Sequence, residues 1–337
     1  MRAVVYEGHG REFVIDDRPV PVLREGEVLI RVKLAGICGT DVTLASGKRK
    51  DAPTPLIPGH EFMGEVVEVR GADHKLVGKR VVAEPTLSCG RCGSCKRGYA
   101  HVCEHLQVLG VHTDGGFAEY VKVPAEKVYE VPEGVPERLA ALAEPLAVAV
   151  HVVRRANPQV GDSVMVVGGG PIGLLIAQVA RFAGAGRVVV VEISPSRLSI
   201  ARALGLETLD PADAGPDELR GTMDVAFEVS GSAPGVSRAV TSLRPRGKLL
   251  VVGFFKEPGP VDLAQVLFKE LEFRGSRVYA AEDFPRALRL ISSQAVKLEP
   301  LISRVLPLSR VNDGIRLAAQ GTEAMKVLLD ASSQEAL

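Results

Sequence analysis

The chain has five cysteines, and four of them, Cys89, Cys92, Cys95 and Cys103, fall in the run SCGRCGSCKRGYAHVCE with the spacing C-x2-C-x2-C-x7-C. Four thiolates this close together match a closed tetrahedral zinc site, in which protein fills every coordination position. The same ligands suit an iron–sulfur cluster, and surface thiols without metal are the plain alternative. Gly90, Gly93 and Gly98 let the backbone fold tightly around an ion. The fifth cysteine, Cys38, stands in Gly36-Ile-Cys-Gly-Thr-Asp41, and Pro58-Gly-His-Glu61 offers an adjacent imidazole and carboxylate at His60 and Glu61. Thiol, imidazole and carboxylate are the ligands of a catalytic zinc, which keeps one position open for water or substrate. Glycine or proline beside each ligand predicts turns that let the two segment ends converge.

A further group of residues reads as a binding site. The apolar strand Val164 to Val167 runs into Gly168-x-Gly170-Pro171-Ile172-Gly173 and then into a helix. The glycines allow a tight turn, close approach of the backbone to a pyrophosphate, and packing of helix on strand, with the phosphates at the helix N-terminus. A second strand, Arg187 to Ile193, carries an acid near its end, Glu192, placed 19 residues past Gly173. That carboxylate suits the ribose diol of an adenosine and repels a 2′-phosphate, which favours NAD over NADP. Arg197 lies close by, at a position that also fits the solvated face of a helix capped by Ser194.

Two kinds of element are needed to position these groups. From the start to about Lys127 the sequence reads as short strands broken by turns, namely Arg2 to Tyr6, Glu27 to Leu34, Met63 to Val69, Arg80 to Ala83 and Phe117 to Val123. Such a pattern predicts a β-barrel or sandwich-like unit. Beyond Asp162, strands alternate with helices: strand Asp224 to Val229, helix Pro234 to Leu243, strand Lys248 to Gly253, helix Leu263 to Leu271, strand Glu272 to Gly275. That alternation predicts a doubly wound parallel sheet, so the fold class is α/β plus β. Between the two regions, Glu144 interrupts an apolar helical stretch just before Pro145. A carboxylate there is a helix-entry residue favoured by the macrodipole, or it is paired or coordinated.

The bulk composition excludes other classes. With 337 residues and 46 % hydrophobic content the chain holds two globular cores. Lys plus Arg and Asp plus Glu balance at 41 each, so no field draws in nucleic acid or an acidic membrane surface. The first residues lack the apolar run of a signal peptide and no stretch reaches the ~20 apolar residues of a membrane span. The reading is a cytoplasmic protein with metal-binding cysteines. His9, His74, His101, His105, His112 and His151 carry no nominated role.

The segments around Cys38 and His60 resemble the catalytic-zinc segments of the medium-chain, zinc-dependent alcohol dehydrogenases, with the polyol (sorbitol dehydrogenase-like) branch the most similar. Cys89 to Cys103 resembles that family's structural-zinc lobe, and Glu144-Pro-Leu-Ala-Val-Ala-Val-His151 resembles the polyol branch's EPL segment. The similarity runs from about Arg2 to about Val327. It implies a chaperonin-10-like β catalytic domain over 1–147 and 282–337, with its zinc lobe at about 86–106, and a Rossmann domain over 148–281. It also implies two Zn²⁺ per chain. Cys38, His60, Glu61 and Glu144 surround the catalytic one, with one carboxylate or the other bound directly, and Cys89, Cys92, Cys95 and Cys103 hold the structural one.

The implied reaction is hydride transfer from a secondary alcohol, diol or polyol to NAD by way of a zinc-bound alkoxide. Thr40 and Glu61 are the catalytic candidates, and Thr40 stands where the family's hydroxyl receives the substrate proton. Thr43 occupies the family's relay-histidine position and Val278 its substrate-arginine position, with Tyr279 retained. Val229 and Val252 join Gly168, Gly170, Pro171, Ile172, Gly173, Glu192 and Arg197 as dinucleotide contacts, and family habit implies a homodimer or homotetramer. The alternatives are an L-threonine 3-dehydrogenase-like enzyme, a zinc-ribbon interaction or redox-sensing protein, and a zinc-free quinone reductase of the same superfamily.

Overall fold

The strand Glu27–Gly36, EVLIRVKLAG, buries Val28, Ile30 and Val32 while Arg31 is exposed, and it has neighbours on both edges. It pairs antiparallel with Glu61–Arg70, with Tyr120–Pro124 and with Lys326–Asp330. These strands, with Arg80–Ala83, Val128–Glu130 and Ile302–Pro307, make a seven-stranded sheet. Its core gathers Val4, Ile30, Val66, Phe117, Val121 and Val327, all buried. A computed structural model provides the coordinates and describes every residue except 9–10, 72, 216, 256, 258, 260, 322–323 and 334–337; His9 therefore lies outside the described residues.

The second sheet is all parallel, in the order Glu207–Leu209, Arg187–Val191, Ser163–Val167, Met223–Glu228, Leu243–Val251, Glu272–Gly275. The inner strands are continuous apolar runs because helices must cover both faces of a parallel sheet. Met165, Val189, Ala226 and Leu249 form part of their core. Strand order reverses between Ser163–Val167 and Met223–Glu228, which opens a crevice at the carboxyl ends. The architecture is thus a β unit and a doubly wound α/β unit, as the sequence predicts.

The chain divides into two compact units. One compact unit is Met1–Glu144 with Ala280–Ser293 and Leu301–Leu337, and the other is Pro145–Tyr279 with Gln294–Pro300. The late excursion of Gln294–Pro300 has a polar cause. Gln178, buried in the helix Pro171–Phe182, donates to the Lys297 carbonyl at 3.2 Å and accepts from the Lys297 N–H at 2.7 Å. The helix expected over Leu263 to Leu271 is shorter than that. It ends at Phe268 because Glu270 takes a φ of 49°, a left-handed conformation that no α-helix continues through. Among the described residues no helix is long and apolar enough to cross a membrane.

Candidate metal centres and dinucleotide cavity

Three strands of the first sheet bring one site together at their ends. In the antiparallel register Gly36 lies opposite Glu61 on one side and opposite Leu328 on the other. Immediately after Gly36 the chain turns at Cys38, the N-cap of the helix Gly39–Ala45. Asp41, three residues on, accepts from the Cys38 N–H at 2.8 Å and fixes that turn. The opposite strand begins at Glu61, with His60 just before it, and Cys38 Sγ, a His60 ring nitrogen and a Glu61 oxygen all lie within 4.8 Å of one another. Gly36 leaves room for this, since a Cβ there would collide with the Glu61 carboxylate.

Two charged groups that sequence reading missed complete the cluster. Lys326, first residue of its strand and 4 % exposed, donates to Glu61 Oε1 at 2.8 Å, to Glu61 Oε2 at 2.7 Å and to the Ile37 carbonyl at 3.1 Å. Asp41, fully buried, stands 3.6 Å from His60 Nδ1, within electrostatic reach of the ring but beyond a hydrogen bond. Each left a faint trace in the sequence. Lys326 is a lone cation in the apolar run AMKVLL, and Asp41 sits at the third helical position after a cysteine cap.

The electrostatics of the cluster ask for a cation. Burial by itself lowers the His60 pKa, but Asp41, Cys38 and Glu144 outweigh it and hold the imidazole well above its usual value. Lys326 follows the same logic, with burial opposed and overcome by Glu61, Cys38 and Glu144. Asp41 is pushed up by burial despite His60 and the Cys38 N–H. Among the described residues, two buried carboxylates, Asp41 and Glu61, and a thiol therefore gather around Lys326 and a titratable imidazole. Buried anions in such excess are costly unless neutralised, and the donor set of sulfur, nitrogen and oxygen fits a divalent zinc-like ion. Glu144 is near enough to influence His60 and Lys326, but it is not among the ligand atoms gathered within 4.8 Å.

Thr40 places its hydroxyl 3.9 Å from Cys38 Sγ. Thr43, one helical turn on, instead donates its hydroxyl to the Gly39 carbonyl at 2.8 Å. One hydroxyl faces the metal-ligand cluster and the other is tied into the helix backbone.

The four-cysteine lobe is built differently. Its sulfurs lie within 4.8 Å of one another, with Cys92 and Cys103 3.8 Å apart. Backbone amides converge on them: Cys89 N–H and His105 N–H each reach Cys103 Sγ at 3.3 Å, and Cys92 N–H reaches Cys89 Sγ at 3.4 Å. N–H donors aimed at sulfur stabilise thiolates, the form that binds metal. The Cys95 and Glu104 amides in particular draw the Cys92 thiol down to about 6, while burial and the neighbouring thiols push Cys95 up to about 12.

In the second unit a cavity of about 1110 Å³ opens at the carboxyl ends of the parallel strands. Gly168, Gly170, Pro171, Ile172, Gly173, Glu192, Arg197, Val229 and Val252 all line it. Gly168 has a φ of 107°, and a Cβ on Gly173 would strike the Gly168 carbonyl, so the turn and the start of the helix require glycine at both. Glu192 accepts from the N–H groups of Gly169 at 2.8 Å, Ile193 at 2.7 Å and Ser194 at 3.0 Å. Arg197 is not free in solvent. Its guanidinium stands 3.4 Å from the Glu192 carboxylate.

Residues 24–133 match the alcohol dehydrogenase GroES-like domain and residues 171–293 match the zinc-binding dehydrogenase domain. The 2-dehydro-3-deoxy-L-galactonate 5-dehydrogenase of Pseudoalteromonas atlantica is 36 % identical over 345 aligned positions, covering 99 % of this chain and 100 % of that protein. The chain belongs to the zinc-dependent medium-chain alcohol and polyol dehydrogenases. An L-threonine 3-dehydrogenase of Sinorhizobium fredii is also similar to this dehydrogenase, 36 % identical over 327 positions and 93 % of each chain. Among solved structures, an alcohol dehydrogenase from Escherichia coli CFT073 in complex with NADH superposes with a TM-score of 0.91 at 33 % identity, covering 98 % of this chain and 99 % of that one. A zinc-binding dehydrogenase from Sinorhizobium meliloti 1021 bound to NADP has a TM-score of 0.91 at 32 % identity, covering 98 % of each.

Proposed function

We propose that this dehydrogenase oxidises a secondary alcohol, vicinal diol or sugar-acid hydroxyl with NAD, using one zinc held by Cys38, His60 and a carboxylate and a second held by Cys89, Cys92, Cys95 and Cys103. The convergence of Cys38, His60 and Glu61 within 4.8 Å carries the proposal. When bound, zinc acidifies a hydroxyl group placed in its open position. Asp41, 3.6 Å from His60 Nδ1, would favour that nitrogen as the protonated one and so free the other for a metal. Thr40 hydrogen-bonds the substrate oxygen and takes over its proton, a role its position beside Cys38 supports. Lys326 occupies both Glu61 oxygens, which favours Glu144 as the carboxylate that reaches the metal while Glu61 tunes the charge behind it.

Glu192 supports NAD as the working dinucleotide. Its carboxylate is fixed by three backbone amides, and Arg197 is engaged with it, so a 2′-phosphate would meet a fixed negative group. The expected preference for NAD over NADP in kcat/KM is at least about tenfold. The substrate class follows the polyol and sugar-acid relatives, and the β-hydroxyl of L-threonine is a secondary alcohol that the same chemistry accepts. The subunits are proposed to assemble as a homodimer or homotetramer, as sizing would read.

The deciding experiment measures metal content and NADH appearance with butane-2,3-diol, sorbitol, a 2-keto-3-deoxy sugar acid and L-threonine. Two zinc per chain with turnover on at least one of these is expected. One zinc per chain and no turnover on any would overturn the reading and leave a zinc-lobe binding protein in its place.

A further inference from the structure

Glu228 is a wholly buried carboxylate at the carboxyl end of the central strand Met223–Glu228. No cation neutralises it among the described residues. Its donors are instead local: the Ser230 N–H at 2.9 Å, the Ser230 hydroxyl, and the Gly231 N–H at 3.1 and 3.2 Å to its two oxygens. Its backbone carbonyl takes two more, from the N–H groups of Val252 and Gly253, both at 2.9 Å. One residue thus ties together the loops that follow two neighbouring strands.

Those loops are packed backbone against backbone. A Cβ on Gly253 would meet Gly231 N and stand 2.7 Å from Glu228 Oε2, and one on Gly168 would stand 3.0 Å from Ser230 N. Val229, Ser230, Val252, Gly253 and Phe254 all line the large cavity. They do so on the far side of the glycine turn from Glu192. In a doubly wound sheet the dinucleotide lies across the switch point, with its adenosine at the acid-bearing strand, here Arg187–Val191, and its pyrophosphate at the glycine turn. The wall tied by Glu228 therefore faces the half beyond the pyrophosphate, which carries the nicotinamide.

We propose that Glu228 is a positioning residue for the dinucleotide: its carboxylate and carbonyl staple the Val229–Gly231 and Val252–Gly253 loops into the wall that receives the nicotinamide half. The inference rests on reading the second unit as a dinucleotide site. A charged acceptor suits the task because hydrogen bonds to a carboxylate are stronger than those to a neutral amide. A glutamine with its oxygen in the Oε1 position keeps only a weaker, neutral acceptor for the Ser230 and Gly231 amides and turns an N–H donor toward the Gly231 N–H in place of Oε2.

The test compares NADH and AMP binding to the zinc-loaded full chain and its Glu228→Gln variant, with thermal unfolding as the control. NADH, followed by fluorescence, should bind about 10- to 100-fold more weakly to the variant. AMP, which fills only the adenosine half, should bind within about twofold of wild type. Equal weakening of both ligands, or unchanged NADH affinity, overturns the proposal. Wild-type protein that binds neither ligand would refute the dinucleotide reading itself, a separate result. If Glu228→Gln does not fold, amide hydrogen exchange on the ligand-free wild type decides. The Ser230, Gly231, Val252 and Gly253 amides should be protected, and exchange at open-loop rates would refute the staple.

Discussion

The chain contains two clusters of side chains that could hold a metal ion, and they are assembled by opposite means. The lobe from Cys89 to Cys103 collects four identical ligands from fifteen consecutive residues, with amides from the same segment supporting the sulfurs. The Cys38 cluster collects different ligand types from the ends of two strands, Glu27–Gly36 and Glu61–Arg70, and Lys326 from a third strand and Asp41 stand beside it as buried ionisable groups. A local, chemically uniform cluster is complete in itself and suits a structural role. A dispersed, mixed cluster leaves charge unbalanced and room for an exogenous ligand, which is what catalysis requires.

The largest test of this contrast is in stability. Cys103→Ser opens the closed site, and the lost metal-binding energy should lower unfolding stability by about 5 kcal/mol or more, read by thermal unfolding alongside a fall to one zinc per chain. Cys38→Ser should also lose one zinc, yet leave the unfolding midpoint close to wild type while kcat/KM falls on the order of 10³-fold. If both variants unfold alike, the division into structural and catalytic clusters is wrong.

Lys326→Met sharpens the account of the dispersed site. Removing one partner of a buried ion pair leaves Glu61 uncompensated, so the chelator-treated protein should lose about 3 kcal/mol in urea unfolding. The zinc-loaded protein should lose distinctly less, because the metal supplies the missing positive charge. Equal losses with and without zinc would mean that Glu61 does not sense the metal.

Thr40→Val should lower kcat about 10²-fold, and Thr43→Val should stay within about twofold, since only the first hydroxyl stands beside Cys38. Matching mild losses would remove Thr40 from the proton path. The finest difference is in thiol reactivity. In metal-stripped protein Cys92, drawn down to about 6 by the amides of Cys95 and Glu104, is largely thiolate at neutral pH and should alkylate first, its rate rising through about pH 6. Cys95, pushed up to about 12 by burial and the adjacent thiols, should alkylate last within the lobe. Mass spectrometry of the labelled peptides gives the order, and a uniform rate across the four would contradict the amide arrangement.

The sequence by itself determined the parts whose signal is local. The four-cysteine spacing, the glycine turn with its strand and helix, and the alternation that makes a parallel sheet are each contained in a short window, because the physical constraint acts between near neighbours. Cys38, His60 and Glu61 were nameable from residue type and turn context, and all nine expected dinucleotide contacts fall on one cavity. Tertiary structure alone decided which charges surround them. Lys326 reaches Glu61 only because its strand pairs beside Glu27–Gly36, Asp41 meets His60 only after the Cys38 turn, and Glu228 becomes a staple only when two successive strand ends lie side by side. A buried charge is selected by what it faces across the fold, and that information lies in pairings between distant residues rather than in the order of adjacent ones.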